Sequence, residues 1–586
     1  MFGKKSPSAK EVRMEKPDVT PKVSEDVELG SARGEADAPE ETTTEPVAAA
    51  DEEEEGKEYP SVAKVIPVMF ALYLTLFLIS LVSLTSSVFY VKSPNEETDE
   101  WQDRTIITTA IPQITDDFHS IGDIGWYASA YMITGCAFQL IYGRIYTFYS
   151  PKWIFLSSIG LFELGSLVCA VAPNSPAFIV GRAIAGLGSA GIFSGGIVVM
   201  VHIIPLRKRP IYQGFMGAVF LISSVIGPLL GGAFTTNVTW RWCFYINLPI
   251  GGVTILLILF FLKLPDMKKK DEAPLSLRQK IDRLDPIGTA CFLPGIVCLL
   301  LALQWGGSTY AWGSWRVVLL FILSGLLAIA FVVVQIWKQE NATLPPRILK
   351  YRSVTSTTFF AFCTSGSMTT IIVFLPTWFQ AIQGVDAVES GIRMLPLILA
   401  LVVSSIMAGG FTNGFGYYTP TLIACSVLMS VGAGLLSTFS ISTNHAHWIG
   451  YQVLFGYGVG LGQQQAGLAA QVVLPPKDVA TGVSLKFFGQ QLGGAIFISV
   501  SQSVLSNKLA SSLSYLPNLD PAQVVNLGAT ELRHYVSPDL LPAVLVAYNH
   551  ALDSVFRVAL VLACISLLGA LLTEWKSVKG KNLKGA

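Results

Sequence analysis

Long apolar runs alternate with short polar connectors along most of this chain. A helix that crosses a bilayer needs about 20 predominantly apolar residues, and fourteen runs come near or reach that length. The predicted spans cover residues 64–84, 124–146, 153–172, 177–201, 211–234, 243–263, 286–304, 315–337, 354–377, 391–410, 418–439, 446–473, 484–506 and 551–573. The pattern therefore predicts an all-α integral membrane protein with fourteen transmembrane helices in a lipid bilayer.

Positive charge is concentrated in every second connector between the predicted spans. The connectors around residues 207–209, 268–283 and 338–352 carry several Lys and Arg side chains, whereas residues 305–314 and 378–390 carry none. Short cytosolic loops have an excess of Lys and Arg, so the alternation predicts that both termini are cytosolic. This agrees with an even number of spans.

Charge is otherwise rare outside the first 63 residues. The chain is 52% hydrophobic and 14% charged, with a mean hydropathy of +0.53, whereas soluble domains carry about 25% charge. Residues 1–63 hold 17 of the 40 acidic groups and few large apolar side chains, which predicts a disordered cytosolic tail. Because the first apolar run follows this polar tail, we expect no cleaved signal peptide.

The longest basic connector divides the predicted spans into groups. We predict a six-helix bundle at 64–263, a cytosolic loop at 264–285, two extra spans at 286–337, a second six-helix bundle at 354–573 with an outer loop at 507–550, and a cytosolic tail at 574–586.

Patterns typical of enzymes and of metal or cofactor sites are missing from the sequence. The eight cysteines lack paired spacing, so neither a disulfide framework nor a metal site is predicted. The alternate glycines of residues 456–462 follow no strand, so close helix packing explains them better than nucleotide binding. Without a P-loop, ATP-driven transport is not expected. We predict no cofactor, no enzymatic activity and no nucleic-acid partner.

The most specific motif lies in the fifth span and the connector after it. Residues 217–232 read GAVFLISSVIGPLLGG, and residues 240–252 read WRWCFYINLPIGG. With these motifs, residues 64–576 closely resemble the fourteen-span drug:proton antiporter branch of the major facilitator superfamily, especially its fungal toxin-efflux members. The resemblance implies two six-helix bundles plus two extra spans. It also implies an antiporter motif at the bundle interface, formed by Gly227, Pro228, Gly231 and Gly232.

Charged residues within spans are the candidates for proton coupling. Arg182 lies in GRAIAGLGSA, which matches the superfamily's span-4 motif, and a charge inside a membrane marks a functional site by default. A purely structural ion pair is the alternative for Arg182. Glu163, in the middle of the third span, is a candidate charge partner or proton carrier. Residues Asp103 and Arg104 begin DRTIITTAIP, which resembles the family's signature at the end of span 1.

Glutamines cluster on the late spans, at Gln463, Gln464, Gln465, Gln490 and Gln491. Two roles fit them, the lining of a polar cavity and hydrogen bonding between helices. Arg393 and Lys486 lie at the edges of predicted spans, where snorkelling of a long side chain to the interface is the simpler explanation.

The chain departs from the family's pattern at three places. Thr147 stands where the loop motif after span 2 carries an acid, which puts the usual gating ion pair in doubt. Ser223 replaces a glycine of the antiporter motif. Residues 82–102 interrupt the first span, and removing these 21 residues restores FLISLDRTII. Codons for Val-Ser at the start and Gln at the end can encode splice signals, so we hypothesise a translated, retained intron.

The resemblance implies a proton-coupled efflux transporter that works by alternating access. The expected partners are protons and a small hydrophobic or amphipathic toxin, secondary metabolite or drug, and a monomer in the plasma membrane is expected. A vacuolar carrier of basic amino acids is an alternative, although few acidic side chains are available to line its cavity. A non-transporting receptor or sensor is another, and the antiporter motif argues against it.

Overall fold

The computed structural model describes residues 60–84, 110–120, 123–264, 279, 282–307, 310–385, 387–514 and 536–579. Within these ranges the chain is helical, with isolated bridges in place of strands. The first helices are α1 (Val62–Leu84), α2 (Ala110–Phe118), α3 (Ile124–Phe148), α4 (Pro151–Ala170), α5 (Ser175–Ile203), α6 (Arg209–Asn237), α7 (Trp242–Tyr245), α8 (Asn247–Phe261), α9 (Pro286–Trp305) and α10 (Trp315–Lys338). They are followed by α11 (Pro346–Lys350), α12 (Arg352–Gln383), α13 (Ala387–Arg393), α14 (Leu395–Phe415), α15 (Thr419–Leu436), α16 (His445–Gln463), α17 (Gln465–Val473), α18 (Val479–Leu513) and α19 (Leu541–Leu572).

Each of the fourteen predicted spans coincides with one helix or with two consecutive helices. Ten helical segments in the described ranges are long and apolar enough to cross a membrane. The other four predicted spans correspond to α3, α6, α16 with α17, and α18. The all-α membrane fold predicted from the apolar runs is therefore confirmed.

Some helix boundaries differ from those predicted. The span at 243–263 consists of α7 and α8, which meet at Ile246, and the span at 446–473 consists of α16 and α17, which meet at Gln464. Helices also extend into the predicted outer loop, because α18 continues to Leu513 and α19 begins at Leu541. The acidic tail up to residue 59 lies outside the described residues.

Helices pack closely where glycine replaces a side chain. A Cβ placed on Gly165 of α4 would lie 2.3 Å from the backbone nitrogen of Ala185 in α5. A Cβ on Gly456 of α16 would lie 2.2 Å from the carbonyl oxygen of Leu397 in α14. Lipid tails are as apolar as the helices, so close contact of this kind stabilises helix pairs in a membrane. The glycines of 456–462 thus have the packing role that the sequence favoured.

Buried apolar side chains form two large clusters. The first draws mainly on α1 to α8 and the second on α12 to α19. Helices of the two clusters meet along α3 and α18 and along α6 and α14. The extra helix α9 packs against α3 and α18, and α10 packs against α9 with most of its side chains exposed. That arrangement suits a lipid-facing position for α10.

One end of the helices carries most of the positive charge. We call it the basic end. It is the end at which α3 stops and α18 begins, with connectors at 204–208, 339–351 and 474–478. The topology predicted from the loop charges assigns this end to the cytosol.

Candidate functional site

A cavity lies where helices of the two clusters meet. It is lined by side chains of α1, α5, α6, α12, α14, α16 and α18 and has a volume of about 50 Å³. Small-molecule pockets usually enclose about 300–1,000 Å³. The helices must therefore move apart before a compound of that size can enter.

Glutamines supply most of the polar lining of this cavity. Gln463, Gln464 and Gln490 all contribute to it, which is one of the two roles that the sequence left open. A Cβ on Gly217 of α6 would lie 2.9 Å from Cγ of Gln464. The glycine in the fifth span thus leaves the space that the Gln464 side chain occupies.

The predicted cavity residue Gln491 joins helices instead. Its amide nitrogen donates to Oε1 of Gln139 at 3.1 Å, and the Gln139 amide donates to the Ser194 hydroxyl at 2.6 Å. The Ser194 hydroxyl also contacts the Ser484 hydroxyl at 2.8 Å. Gln491 thus performs the second of its two predicted roles, because it lies on the side of α18 that faces α3. Gln465 is fully buried without a hydrogen-bond partner in the described part of the chain.

Lys486 does not snorkel to the membrane interface, and that prediction is wrong. Its side chain is only 3% exposed, its ammonium donates to Oε1 of Gln490 at 2.5 Å, and it lies 4.4 Å from the centre of the Phe487 ring. Two turns of α18 precede Lys486, and they pack against neighbouring helices, so the side chain cannot reach water. Arg393, in contrast, pairs with Glu389 at 2.9 Å beside a helix junction.

Arg182 is enclosed between α5 and α3. Its Nε donates to the backbone carbonyl of Tyr127 at 2.8 Å, and its guanidinium lies 4.6 Å from the centre of the Tyr131 ring. Both terminal nitrogens are buried and lack a hydrogen-bond partner among the described residues. The side chain thus retains donors for a further acceptor.

Glu163 lies against α8, and among the described residues neither of its oxygens bonds to Arg182, so this structure does not show the charge pair that was one of its two possible roles. A Cβ placed on Gly251 of α8 would lie 1.9 Å from Oε1 of Glu163, which shows how tightly the carboxyl group fits against that glycine. Both oxygens are buried without a hydrogen-bond partner in the described ranges. The interpretation of Glu163 as a proton carrier remains a proposal.

The four residues of the antiporter motif, Gly227, Pro228, Gly231 and Gly232, all lie within α6. A Cβ on Gly227 would lie 3.5 Å from the carbonyl oxygen of Leu81, so the motif is where α6 approaches α1. The Ser223 hydroxyl, in place of the expected glycine, donates to the carbonyl of Val219 at 2.8 Å and stays within its own helix. Asp103, Arg104 and residues 85–102 lie outside the described residues.

The basic end is closed by direct contact between α3 and α18. A Cβ on Gly143 would lie 2.8 Å from Cβ of Ser484. The Thr147 hydroxyl, where the family has an acid, lies 3.3 Å from the Thr481 hydroxyl. This contact carries no charge, so the usual ion pair at this position is absent here.

Arginines from outside the loop motif reinforce this closure. Arg144 donates to the carbonyl oxygens of Arg283 and Glu340, both at 3.1 Å. Arg347 forms two hydrogen bonds to the carboxylate of Asp478, at 2.5 and 2.8 Å. The hydrogen bonds that Arg347 donates to the Asp478 carboxylate raise the pKa of Arg347 above its ordinary value. The spans alone gave no indication of these contacts, because the partners lie in connectors far apart in the sequence.

A buried carboxylate fixes the two extra helices to each other. Asp285 caps α9 by accepting from the Gly288 amide at 2.9 Å, and it also accepts from Gln335 of α10 and from the amide and hydroxyl of Thr343. Burial opposes its ionisation, yet these hydrogen bonds lower the pKa of Asp285 below its ordinary value. Lys338 lies 3.6 Å away. The sequence gave no sign of this site, which depends on a backbone φ of +49° at Asp285.

The structure combines a helical membrane body, a central polar cavity where two clusters meet, and one end that is closed by side-chain contacts. These features are typical of the class of secondary transporters. The family model described as Major Facilitator Superfamily matches residues 101–498, and the chain belongs to that superfamily. It is therefore a transporter and not an enzyme.

Relatives of high identity are fungal transporters. The chain is 49% identical over 522 residues to the "MFS-type transporter VdtG" of Byssochlamys spectabilis, with 89% of this chain and 90% of the relative covered. It is 53% identical over 481 residues to the "Rubrofusarin-specific efflux pump aurT" of Gibberella zeae, with 82% and 88% covered. The "Efflux pump aflT" of Aspergillus parasiticus is 50% identical, with 81% and 93% covered. These relatives place the chain in the fungal efflux-pump group of the superfamily.

Solved structures agree on the fold. The proton:xylose symporter XylE aligns with a TM-score of 0.53 at 11% identity, covering 85% of this chain and 95% of XylE. The human organic anion transporter MFSD10 aligns with a TM-score of 0.52 at 13% identity, covering 85% of this chain and 99% of the human protein. At this identity the likeness supports the major facilitator fold alone.

Proposed function

We propose that this transporter exports a small hydrophobic or amphipathic compound from the cytosol in exchange for protons. The observation that carries the proposal is the central cavity lined by glutamines and aromatic rings, next to a basic end closed by side-chain contacts. High identity to named efflux pumps supports outward transport of a secondary metabolite, toxin or drug. The plasma membrane is the site where such export would clear the cell.

Alternating access gives each part of the structure a role. With the basic end in the cytosol, this conformation is closed toward the cytosol, and separation of α3 from α18 would admit cargo. The close approach of α6 to α1 at Gly227 places the antiporter motif where one cluster would rock against the other. The cavity is built from one copy of the chain, so a monomer suffices.

Proton coupling is proposed to depend on the buried charges of the first cluster. An ionised carboxylate without a partner is costly inside a membrane, and Glu163 has no hydrogen-bond partner in the described ranges. We propose that it binds and releases the coupled proton as α4 and α8 move. Arg182, whose two terminal nitrogens have no hydrogen-bond partner among the described residues, would stabilise the ionised state of a nearby group. Asp103 with Arg104 would complete the site at the end of span 1.

The alternative of vacuolar uptake of basic amino acids fits the cavity poorly. A cationic cargo requires carboxylates in its binding site, and the described side chains that line the cavity include none. The charged group nearest to the lining in the hydrogen-bond network is the Lys486 ammonium, which would repel a cation.

A comparison of metabolites inside and outside cells tests the proposal. Cells with and without the gene are compared by untargeted mass spectrometry, before and after the proton gradient is collapsed. Retention of one compound when either the gene or the gradient is lost is the expected result, and it identifies the cargo. If no compound changes its distribution between the two strains, the proposal of export is wrong.

A further inference from the structure

Lys486 is a buried cation beside the transport cavity. Among the described residues, its ammonium donates a hydrogen bond to Oε1 of Gln490 alone, and the Gln490 side chain lines the cavity. The neighbouring residue Phe487 lines the cavity as well, and its ring lies 5.7 Å from the ring of Phe193. The ammonium is thus one hydrogen bond away from the space that cargo would occupy.

No carboxylate of the described residues lies within 4.0 Å of this ammonium. In the described ranges, every ion pair within 4.0 Å involves other cations, and none involves Lys486. Glu163 is turned toward Gly251, and Asp478 is occupied by Arg347. A buried charge without a counter-ion costs several kcal/mol. An anion that reached the ammonium during the transport cycle would offset this cost.

The groups around the ammonium suit a particular kind of anion. Phe193, Phe220 and Phe487 offer ring faces for a flat aromatic body. The amides of Gln463 and Gln464 can donate to its oxygen substituents. A neutral Gln490 oxygen that accepts from Lys486 can be displaced by a stronger, charged acceptor.

We propose that Lys486 determines cargo specificity by pairing with the anionic oxygen of an aromatic weak acid, a carboxylate or a phenolate. The anion replaces Gln490 as the acceptor of the Lys486 ammonium, and the released Gln490 amide then bonds to the cargo. This inference rests on the proposed export function, and it adds the charge class of the cargo.

The test uses three fluorescent probes of one shape that differ in charge. Anthracene-2-carboxylate is the acid, anthracene-2-carboxamide is its neutral counterpart, and 2-(aminomethyl)anthracene is the cation. Uptake is measured in everted plasma-membrane vesicles with an acidic lumen that contain the full-length chain, and vesicles without the transporter give the passive leak. The variants are Lys486→Met and Lys486→Arg, with Lys508→Met as the matched control, because Lys508 is exposed on the same helix.

The expected result is faster uptake of the acid than of the amide by the wild type. Lys486→Met should reduce uptake of the acid by about tenfold or more, because a charge-assisted hydrogen bond is lost, while uptake of the amide falls less than about twofold. Lys486→Arg should retain most uptake of the acid, and Lys508→Met should match the wild type. Surface abundance of each tagged variant establishes that it has folded.

Other outcomes overturn the inference in distinct ways. If Lys486→Met transports the acid as fast as the wild type, or if the wild type prefers the amide or the cation, Lys486 does not recognise an anion. If Lys486→Met abolishes uptake of every transported probe at normal abundance, the residue serves coupling and not specificity. If the wild type takes up none of the three probes although the metabolite comparison identifies a cargo, the inference of an aromatic acid is wrong and the proposed export stands; if the metabolite comparison also finds no cargo, the proposed export fails.

Discussion

The carboxylate of Asp478 accepts two hydrogen bonds from the guanidinium of Arg347, at 2.5 and 2.8 Å. Asp478 immediately precedes α18, and Arg347 lies in the connector between the extra helices and α12. The ion pair thus joins the segment after the extra helices to the helix that closes the basic end against α3. The pair supplies a charged contact at the basic end, where Thr147 stands in place of the acid of the family's loop motif.

The variant Asp478→Asn should favour an open basic end. Loss of this pair, which is partly exposed, should cost about 1 kcal/mol and shift the ratio of open to closed forms about fivefold. A cysteine introduced at Gln463, in a background without native cysteines, should then react faster with an impermeant maleimide in everted vesicles. Glu340→Gln is the matched control, because Glu340 binds the same arginine but is 65% exposed. Equal labelling rates in the two variants would show that the Arg347–Asp478 pair does not hold the gate.

The variant Gly251→Ala should disturb proton coupling. The added Cβ would lie 1.9 Å from Oε1 of Glu163 and must displace the carboxyl group, at an overpacking cost of about 1–3 kcal/mol. Cargo export should fall to the level of Glu163→Gln. Gly252→Ala should leave export unchanged, because nothing lies within 4 Å of a Cβ at that neighbouring position. If Gly251→Ala exports cargo at the wild-type rate, Glu163 does not take part in proton coupling.

The stabilising effect of Asp285 should depend on pH in a definite direction. Because the pKa of Asp285 is lowered in the folded protein, its ionised form contributes stability that is complete at neutral pH and is lost as the pH falls through that lowered pKa. Asp285→Asn keeps a residue that tolerates positive φ and caps helices, so it removes mainly the charge. It should cost about 1–2 kcal/mol at neutral pH.

Thermal unfolding of purified protein in detergent at several pH values measures this effect. The gap in Tm between the wild type and Asp285→Asn should be constant around neutral pH and should narrow only in strongly acidic buffer. A gap that is independent of pH down to strongly acidic conditions would show that the carboxylate charge is not the stabilising feature.

Removal of residues 82–102 should increase export if these residues come from a retained intron. The family match begins at residue 101 and leaves out α1, as expected if this segment interrupts the family's pattern. Sequencing of mature transcripts should then reveal a spliced form that lacks these codons. If every mature transcript contains these codons, the hypothesis of a retained intron is wrong. If the variant that lacks residues 82–102 exports less than the wild type, the segment has a function.

The sequence predicted the helices well because the bilayer sets their length. Fourteen apolar runs became helices at the expected places. Neighbouring glutamines could not be assigned in the same way, since Gln490 and Gln491 face different helices. Only the packing of α18 decides which of them reaches the cavity.

Charged residues were the least predictable part of the site. Lys486 lies near the start of a span in the sequence, and distance along the chain could not show that packing covers the first two turns of α18. Glu163 and Arg182 lie on adjacent helices but contact α8 and α3, and the sequence, which left Glu163 as a charge partner or a proton carrier, could not show which neighbour each side chain faces. The Arg347–Asp478 pair connects residues 131 positions apart. The periodicity of apolar residues along the sequence does not predict such a contact.

Simultaneous measurement of cargo and proton movement tests the central proposal most directly. Everted vesicles that contain the full-length chain and have an acidic lumen are given the cargo identified by the metabolite comparison, while a dye reports the pH of the lumen. Proton-coupled export predicts that cargo accumulates only while the gradient is present and that its entry makes the lumen less acidic, with both effects lost in Glu163→Gln. Equal accumulation without a gradient, or accumulation without any change in lumen pH, would contradict proton-driven export.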